Sequence, residues 1–181
     1  MPEDNNGLTY SFNVCRRCKI TCCQDAKPPL TEKRKKIIKE YLEKQGIKIE
    51  KPFVKKSYSY PAVDELVFCE LFNKETGTCS VHPVKPETCR AGPVTFDINF
   101  STEKVEWFLK KPEICAFAGL LYSDKAAFEE HFEVAKKELI RLISQLGADE
   151  LRAIVKIEEP QTFKIGEDDL PLKVIRKFGL E

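Results

Sequence analysis

Long apolar runs are missing from this sequence: none approaches the ~18 residues that a membrane-crossing helix needs. The opening M-P-E-D-N-N-G is polar, with no apolar segment of the signal-peptide kind behind it. Together these absences predict a cytoplasmic chain that does not engage a membrane. A dominant charge sign is missing too. Lys+Arg 30 against Asp+Glu 29 leaves a net charge of +1, which argues against a nucleic-acid partner. The one basic run, Lys33 to Lys36, falls on a predicted helix and reads as a solvated face. No strand–G-x-G–helix nucleotide loop, Ser/His/Asp triad or acid–base pair is visible, so no small-molecule substrate is assigned and enzymatic activity is left open. Repeats and low-complexity segments are absent as well.

What the chain does have is cysteine, eight in 181 residues, with 42% hydrophobic and 33% charged residues around them. That length and balance suit one globular domain with a real core. An even count also suits a disulfide scaffold, but a cytoplasmic chain of this size keeps its thiols reduced unless they bind metal or do redox work. Half of the cysteines fall in C-R-R-C-K-I-T-C-C, from Cys15 to Cys23. Arg16, Arg17 and Lys19 favour thiolate there, and Cys15 with Cys18 makes a C-x2-C knuckle for one soft ion. In an extended stretch neighbouring side chains point to opposite faces. Cys22 and Cys23 therefore serve different sites, or one of them is structural.

The remaining cysteines are Cys69, Cys79 and Cys89, at intervals of nine intervening residues, and Cys115. With Cys15, Cys18, Cys22 and Cys23 they suffice for two four-sulfur centres, each carrying a charge of about −2 as a zinc tetrathiolate or a cubane cluster. Arg16, Arg17, Lys19 and Arg90 would offset part of that charge. Arg90 and backbone N–H groups of the Pro-rich segment around Pro83, Pro86 and Pro93 are candidates to hydrogen-bond sulfur. His82 and His131 read as structural. Vicinal cysteines and the lack of a second C-x2-C favour an iron–sulfur cluster over zinc, although no cysteine is followed by proline.

Periodicity supplies the scaffold. Leu8, Tyr10, Phe12 and Val14 alternate with polar residues and predict a short strand. Thr31 as N-cap, Leu30 before it and Gly46 as stop frame a helix over 32–45, with Ile37, Ile38, Tyr41 and Leu42 on its apolar stripe. Ile47 and Ile49 suggest another strand, followed by an ordered loop carrying Tyr58 and Tyr60. An apolar strand is expected over 66–72, then a turn at Gly77 and a stiff loop over 79–93. Val94, Phe96, Ile98 and Phe100, answered by Val105, Trp107 and Leu109, predict a β-hairpin. Ser123 or Asp124 caps a long helix ending before Gly147, with Phe128, Phe132, Ala135, Leu139, Ile143 and Leu146 buried. A short helix or strand follows over 148–157, and a last helical turn near Val174 to Phe178.

The opening F-N-V-C-R-R-C-K-I-T-C-C, followed by L-T-E-K, resembles the start of the YkgJ-type cysteine-cluster proteins, whose signature is C-x2-C-x2-C-C and then a helix opening near L-T. The match extends through C-E-L-F at Cys69 and G-T-C-S-V-H-P-V-K-P-E-T-C-R, where Gly77, Cys79, Val81, Pro86, Cys89 and Arg90 take the family's positions. E-I-C-A-F-A-G resembles its last cysteine near glycine. Three residues separate Cys18 from Cys22 where the family has two. Lys19 replaces a glycine, His82 a tyrosine and Lys85 an arginine. The resemblance covers roughly 12–119 and implies zinc or iron chelation with no general activity. Some larger relatives act as protein lysine methylases.

The reading is an α+β single domain: cysteine-rich metal-binding loops, a short antiparallel sheet or hairpin, and covering helices. Residues 1–147 form the cysteine-cluster region and 148–181 a C-terminal extension packing on it. It expects a metalloprotein holding iron–sulfur clusters, or zinc, with a protein partner. The alternatives are an iron–sulfur enzyme or electron carrier acting on such a partner, and a structural zinc module.

Overall fold

The computed structural model describes residues 8–18, 22–23, 26, 28–53, 68–155 and 161–179. In chain order these form α1 (Leu8–Arg17), α2 (Glu32–Gln45), strands β1 (Phe72–Asn73) and β2 (Thr78–Cys79), a 3-10 turn (His82–Val84) and α3 (Glu87–Ala91). Then come β3 (Val94–Asn99), β4 (Lys104–Lys110), α4 (Ala116–Ser123), α5 (Lys125–Gln145), α6 (Ala148–Ile154), β5 (Thr162–Asp169) and α7 (Leu172–Phe178). One antiparallel sheet pairs β1 with β2 and the other runs β3-β4-β5, so the class is α+β.

The larger core grows from the expected hairpin. β3 and β4 pair from Val94↔Leu109 to Asn99↔Lys104, which turns Val94, Ile98, Val105, Trp107 and Leu109 inward. Asp124 caps α5 by accepting from the Ala127 N–H at 3.0 Å, and α5 lays Ala135, Leu139, Leu142 and Ile143 on that face. The sole tryptophan, Trp107, meets Phe132 edge-on at 6.2 Å and donates from Nε1 to Asp168 at 2.7 Å. Residues 148–154 are helical, resolving the helix-or-strand alternative. A third strand, β5, was not expected. Its three closing acidic residues obscure the alternation of Phe163 and Ile165, and pairing with β4 decides its conformation. The last helical turn is present as α7, where Lys177 Nζ donates to the Ser144 and Leu146 carbonyls at the end of α5.

The segment over 8–14 is helix, not strand. Leu8 with Phe12, and Tyr10 with Val14, are spaced four apart, so the sequence fits both periods and packing against α4 decides. α2 follows its caps: Thr31 Oγ1 accepts from the Arg34 N–H at 3.1 Å, and Gly46 closes the helix at φ +66°. Ile38 and Leu42 bury against Leu71 and Val81 in a second, smaller core. Ile47 and Ile49 pack on this core without forming a strand. Of the strand expected over 66–72, residues 66–67 lie outside the described residues, and the described part is an isolated bridge at Phe68 and the start of the two-residue strand Phe72–Asn73. The loop bearing Tyr58 and Tyr60, and Lys19, also lie outside them.

One basic residue of the Lys33–Lys36 run corrects the solvated-face reading. Arg34 is 5% exposed. Its Nη2 donates to Glu138 Oε2 at 2.6 Å, and its Nε lies 3.8 Å from Glu87 Oε1. Thr31 Oγ1 donates to Glu87 Oε1 at 2.6 Å, and Arg141 reaches Glu138 at 3.2 Å. Buried charge is tolerated because each carboxylate meets a cation or a hydroxyl. This network fastens α2 and its small core to α3 and α5.

Candidate metal centre

The β1–β2 hairpin positions two of the cysteines. Asn73 Oδ1 accepts from the Glu75 and Thr76 N–H groups at 2.8 and 3.0 Å, and Gly77 turns the chain back at φ +66°. Cys79 thereby stands opposite Phe72, with Cys69 in the turn just before it. Both cysteines have the same local geometry. The Leu71 N–H donates to the Cys69 sulfur and the Val81 N–H to the Cys79 sulfur, in each case from two residues ahead. Donation to sulfur favours thiolate, at Cys69 against burial, which raises that thiol overall, and at Cys79 as a smaller influence beside Cys23. Leu71 and Val81 are buried in the small core, so their side chains anchor both turns.

Cys23 and Cys89 complete this group. The Cys69 N–H donates to the Cys23 carbonyl at 2.7 Å, which ties the N-terminal knot to the hairpin. The Cys23 thiol hydrogen-bonds to the Cys79 sulfur. That bond, above the other influences, lowers the Cys79 thiol to about 7 and drives Cys23 upward. Cys89 lies within α3, a five-residue helix in the segment expected to be loop. Burial pushes its thiol up to about 12, with Cys79 and Cys69 adding to the rise and the Thr88 hydroxyl opposing it.

The other four cysteines form a separate group. Cys15 lies in the last turn of α1 and Cys18 follows the helix, its N–H donating to the Cys15 carbonyl at 3.2 Å. Cys115 occupies the N-cap position of α4. The Cys15 thiol is raised by desolvation and then by Cys22, Cys115 and Cys18, while Cys22 is raised by desolvation, Cys115 and Cys18. Both side chains are open to solvent on one side. A groove lined by Asn13, Val14, Arg17, Cys18, Ala116 and Leu120 opens beside this group.

The thiols acting on Cys15, Cys22, Cys23, Cys69, Cys79 and Cys89 therefore sort the eight into two foursomes: Cys23, Cys69, Cys79 and Cys89 in one, Cys15, Cys18, Cys22 and Cys115 in the other. All eight are free cysteines. Among the described residues, no group of three or more His, Cys, Asp or Glu is already arranged to hold a metal ion. A family model described as a putative zinc- or iron-chelating domain, of the CxxCxxCC pattern, matches residues 14–116. The chain belongs to that family. The matched stretch covers more than half of the sequence and includes every cysteine of this CxxCxxCC protein. Comparison with curated proteins and with solved structures returned no match. No described helix is long and apolar enough to cross a membrane.

Of the cations expected to offset the sulfur charge, Lys19 lies outside the described residues and Arg17 lines the groove with Cys18. Arg16 and Arg17 are exposed, and Arg90 directs its Nε toward Glu138 Oε1 at 3.3 Å. Backbone N–H donation to sulfur is present, at Leu71 and Val81. The cation near the thiols is Lys85, 8% exposed, which lowers the titration of Cys15, Cys22, Cys79 and Cys89. In the sequence it stands out as the residue before Pro86, at a position where the resembled family has an arginine. His82 is held down to about 4 by burial and by Lys85. His131 packs edge-on against Phe117 at 5.0 Å, with its Nε2 3.0 Å from the Ala91 carbonyl oxygen.

Proposed function

We propose that this chain is a two-centre metalloprotein: Cys23, Cys69, Cys79 and Cys89 hold one metal centre, and Cys15, Cys18, Cys22 and Cys115 hold the other. The observation that carries the reading is the pair of N–H donors, Leu71 and Val81, aimed at the sulfurs of Cys69 and Cys79. They stabilise negative sulfur before any ion arrives, and hydrogen bonds of this kind tune thiolate centres. A foursome of thiols, with neither carboxylate nor imidazole, suits a soft metal. Metal would displace the thiol protons shared between Cys23 and Cys79 and draw the sulfurs inward.

The preferred occupant is an iron–sulfur cluster at each centre, with zinc as the alternative. When bound, iron–sulfur supplies one-electron chemistry, whereas zinc supplies only cross-linking. In either case the chain's own part is to hold thiolate, limit water at the half-buried foursome of Cys23, Cys69, Cys79 and Cys89 and offset charge. A second reading, an electron carrier or iron–sulfur enzyme working on a protein partner, draws on the solvent-facing Cys15 and Cys22 and the groove beside Cys18.

Anaerobic purification with metal and sulfide analysis tests this. Broad visible absorption with iron and acid-labile sulfide supports clusters, whereas a colourless chain with bound zinc replaces them by zinc. Metal-free protein that takes up neither ion sinks the proposal. Cys69→Ala and Cys115→Ala should each abolish one centre and spare the other. If either variant empties both centres while remaining folded, the division into foursomes is wrong.

A further inference from the structure

α3 is too short to hold itself. Its five residues fall far below the ~12–15 that an isolated helix needs in water, so its place is set by what grips it from outside. At one end Glu87 is fully buried, its Oε1 accepting from Thr31 Oγ1 at 2.6 Å, with Arg34 Nε 3.8 Å away. At the other end Arg90 Nε lies 3.3 Å from Glu138 Oε1, and the Ala91 carbonyl oxygen lies 3.0 Å from His131 Nε2. His131 and Glu138 are spaced i and i+7 on α5, so one face of one helix makes both contacts. Ala91 is itself fully buried in the large core. Cys89 sits between these holds, with Glu87 two residues before it and Arg90 directly after it. Cys69 and Cys79 have a different footing, since they pack against the small core.

We propose that Arg90 and Glu138 are positioning residues for Cys89: their ion pair fixes α3 against α5 and, through the backbone, fixes where that sulfur meets the metal. This rests on the reading above of Cys89 as a ligand of one of two centres. The sequence offers Arg90 as a donor to sulfur, but its guanidinium is turned to Glu138, so it acts through the carboxylate. Loss of Arg90 therefore weakens the centre that contains Cys89 and leaves the other alone. The fold should survive that loss, because Glu138 keeps Arg34 at 2.6 Å and Arg141 at 3.2 Å.

The test uses the full chain, reduced and anaerobic, with cobalt(II) as the probe and a competing chelator. The thiolate-to-cobalt charge-transfer band reports how many sulfurs hold the ion. Arg90→Met is expected to weaken retention by about ten- to a hundredfold at one centre and to diminish that centre's band. Arg90→Lys, which keeps a cation for Glu138, should stay near wild type. In Cys89→Ala, which keeps only the other centre, Arg90→Met should cost nothing further. Combined with Glu138→Gln, Arg90→Met should lose no more than the worse of the two alone. Far-UV spectra and urea unfolding of the metal-free chains show which variants fold, and Glu138→Gln replaces Arg90→Met in these comparisons if the latter does not.

Retention near wild type in folded Arg90→Met overturns the inference. So does the same added loss in Cys89→Ala, which would mark a general effect on the fold. Losses that add between Arg90→Met and Glu138→Gln would put Arg90 on the sulfur directly, and equal loss in Arg90→Lys would deny the ion pair; either overturns it. A Cys89→Ala chain that keeps all of its cobalt removes Cys89 as a ligand, and the inference with it. If Cys89→Ala instead empties the chain, the two-centre reading alone falls, and the Arg90–Glu138 pair is judged by its own variants.

Discussion

Arg34 and Glu138 meet at 2.6 Å across 104 positions of sequence, both side chains almost fully buried. The contact joins α2, which carries the small core behind the hairpin cysteines, to α5 on the large core. Removing one member leaves the other charge buried. Arg34→Met should therefore destabilise the chain by about 3–5 kcal/mol, read by urea unfolding followed through Trp107 fluorescence. The double variant Arg34→Met/Glu138→Leu should recover part of that loss, because replacing both charges removes the orphan. A double variant as unstable as the sum of the singles would deny the coupling.

Thr31 has two tasks, capping α2 and donating to Glu87 Oε1 at 2.6 Å. Thr31→Ala abandons both, leaving a fully buried carboxylate oxygen short of a donor. A loss of about 2–4 kcal/mol is expected. Thr31→Ser retains the hydroxyl and should cost much less. Thermal unfolding of the pair gives the comparison directly.

Metal removal should act locally. Metal affinity is folding energy for segments without a large core of their own. Residues 68–84 rest on the small cluster of Ile38, Leu42, Leu71 and Val81, whereas β3, β4 and α5 are secured by a cluster containing no candidate ligand in its buried centre. Hydrogen exchange after chelation is expected to speed up across 68–84 and stay slow through β4 and α5. Uniform acceleration would mean that the two cores unfold together.

His131 provides a pH handle on a residue that is not itself a candidate ligand. Burial lowers its pKa, and Lys85 adds to this, while the Ala91 and Gly92 backbone contacts and Glu130 oppose it. The folded chain thus takes up a proton on this ring less readily than the unfolded chain. Stability should be unaffected by His131 above its ordinary value of about 6.5 and should decline as pH falls through that value toward the depressed one. His131→Gln should remove that component, so wild type and variant converge in relative stability at low pH. Urea unfolding from pH 7 to pH 5 measures it.

Much of the scaffold is legible in the sequence because its signals are local. Thr31 and Gly46 mark both ends of α2, Asp124 opens α5, and Val94 to Leu109 spells out a hairpin with one buried face. Where the structure differs, a tertiary contact has overruled an ambiguous pattern. Leu8 to Val14 satisfies two periods, and the β4 edge recruits an acidic stretch that does not advertise itself as a strand. Arg34 looks like its exposed neighbours Lys33 and Lys36, and only a carboxylate far along the chain explains its burial. The site divides in the same way. Cysteine count and spacing point to metal, but spacing cannot sort eight thiols into partners, and a lysine before a proline gives no hint that its charge bears on cysteines of both groups.

Cys22 and Cys23 face different foursomes although a single peptide link joins them, their Cα atoms held about 3.8 Å apart. That link is a tether of fixed length, so whatever displaces one group of sulfurs drags on the other through the backbone itself. Extra residues between Cys18 and Cys22 lengthen a span within one group and leave the tether intact. One residue inserted between Cys22 and Cys23 would slacken that tether.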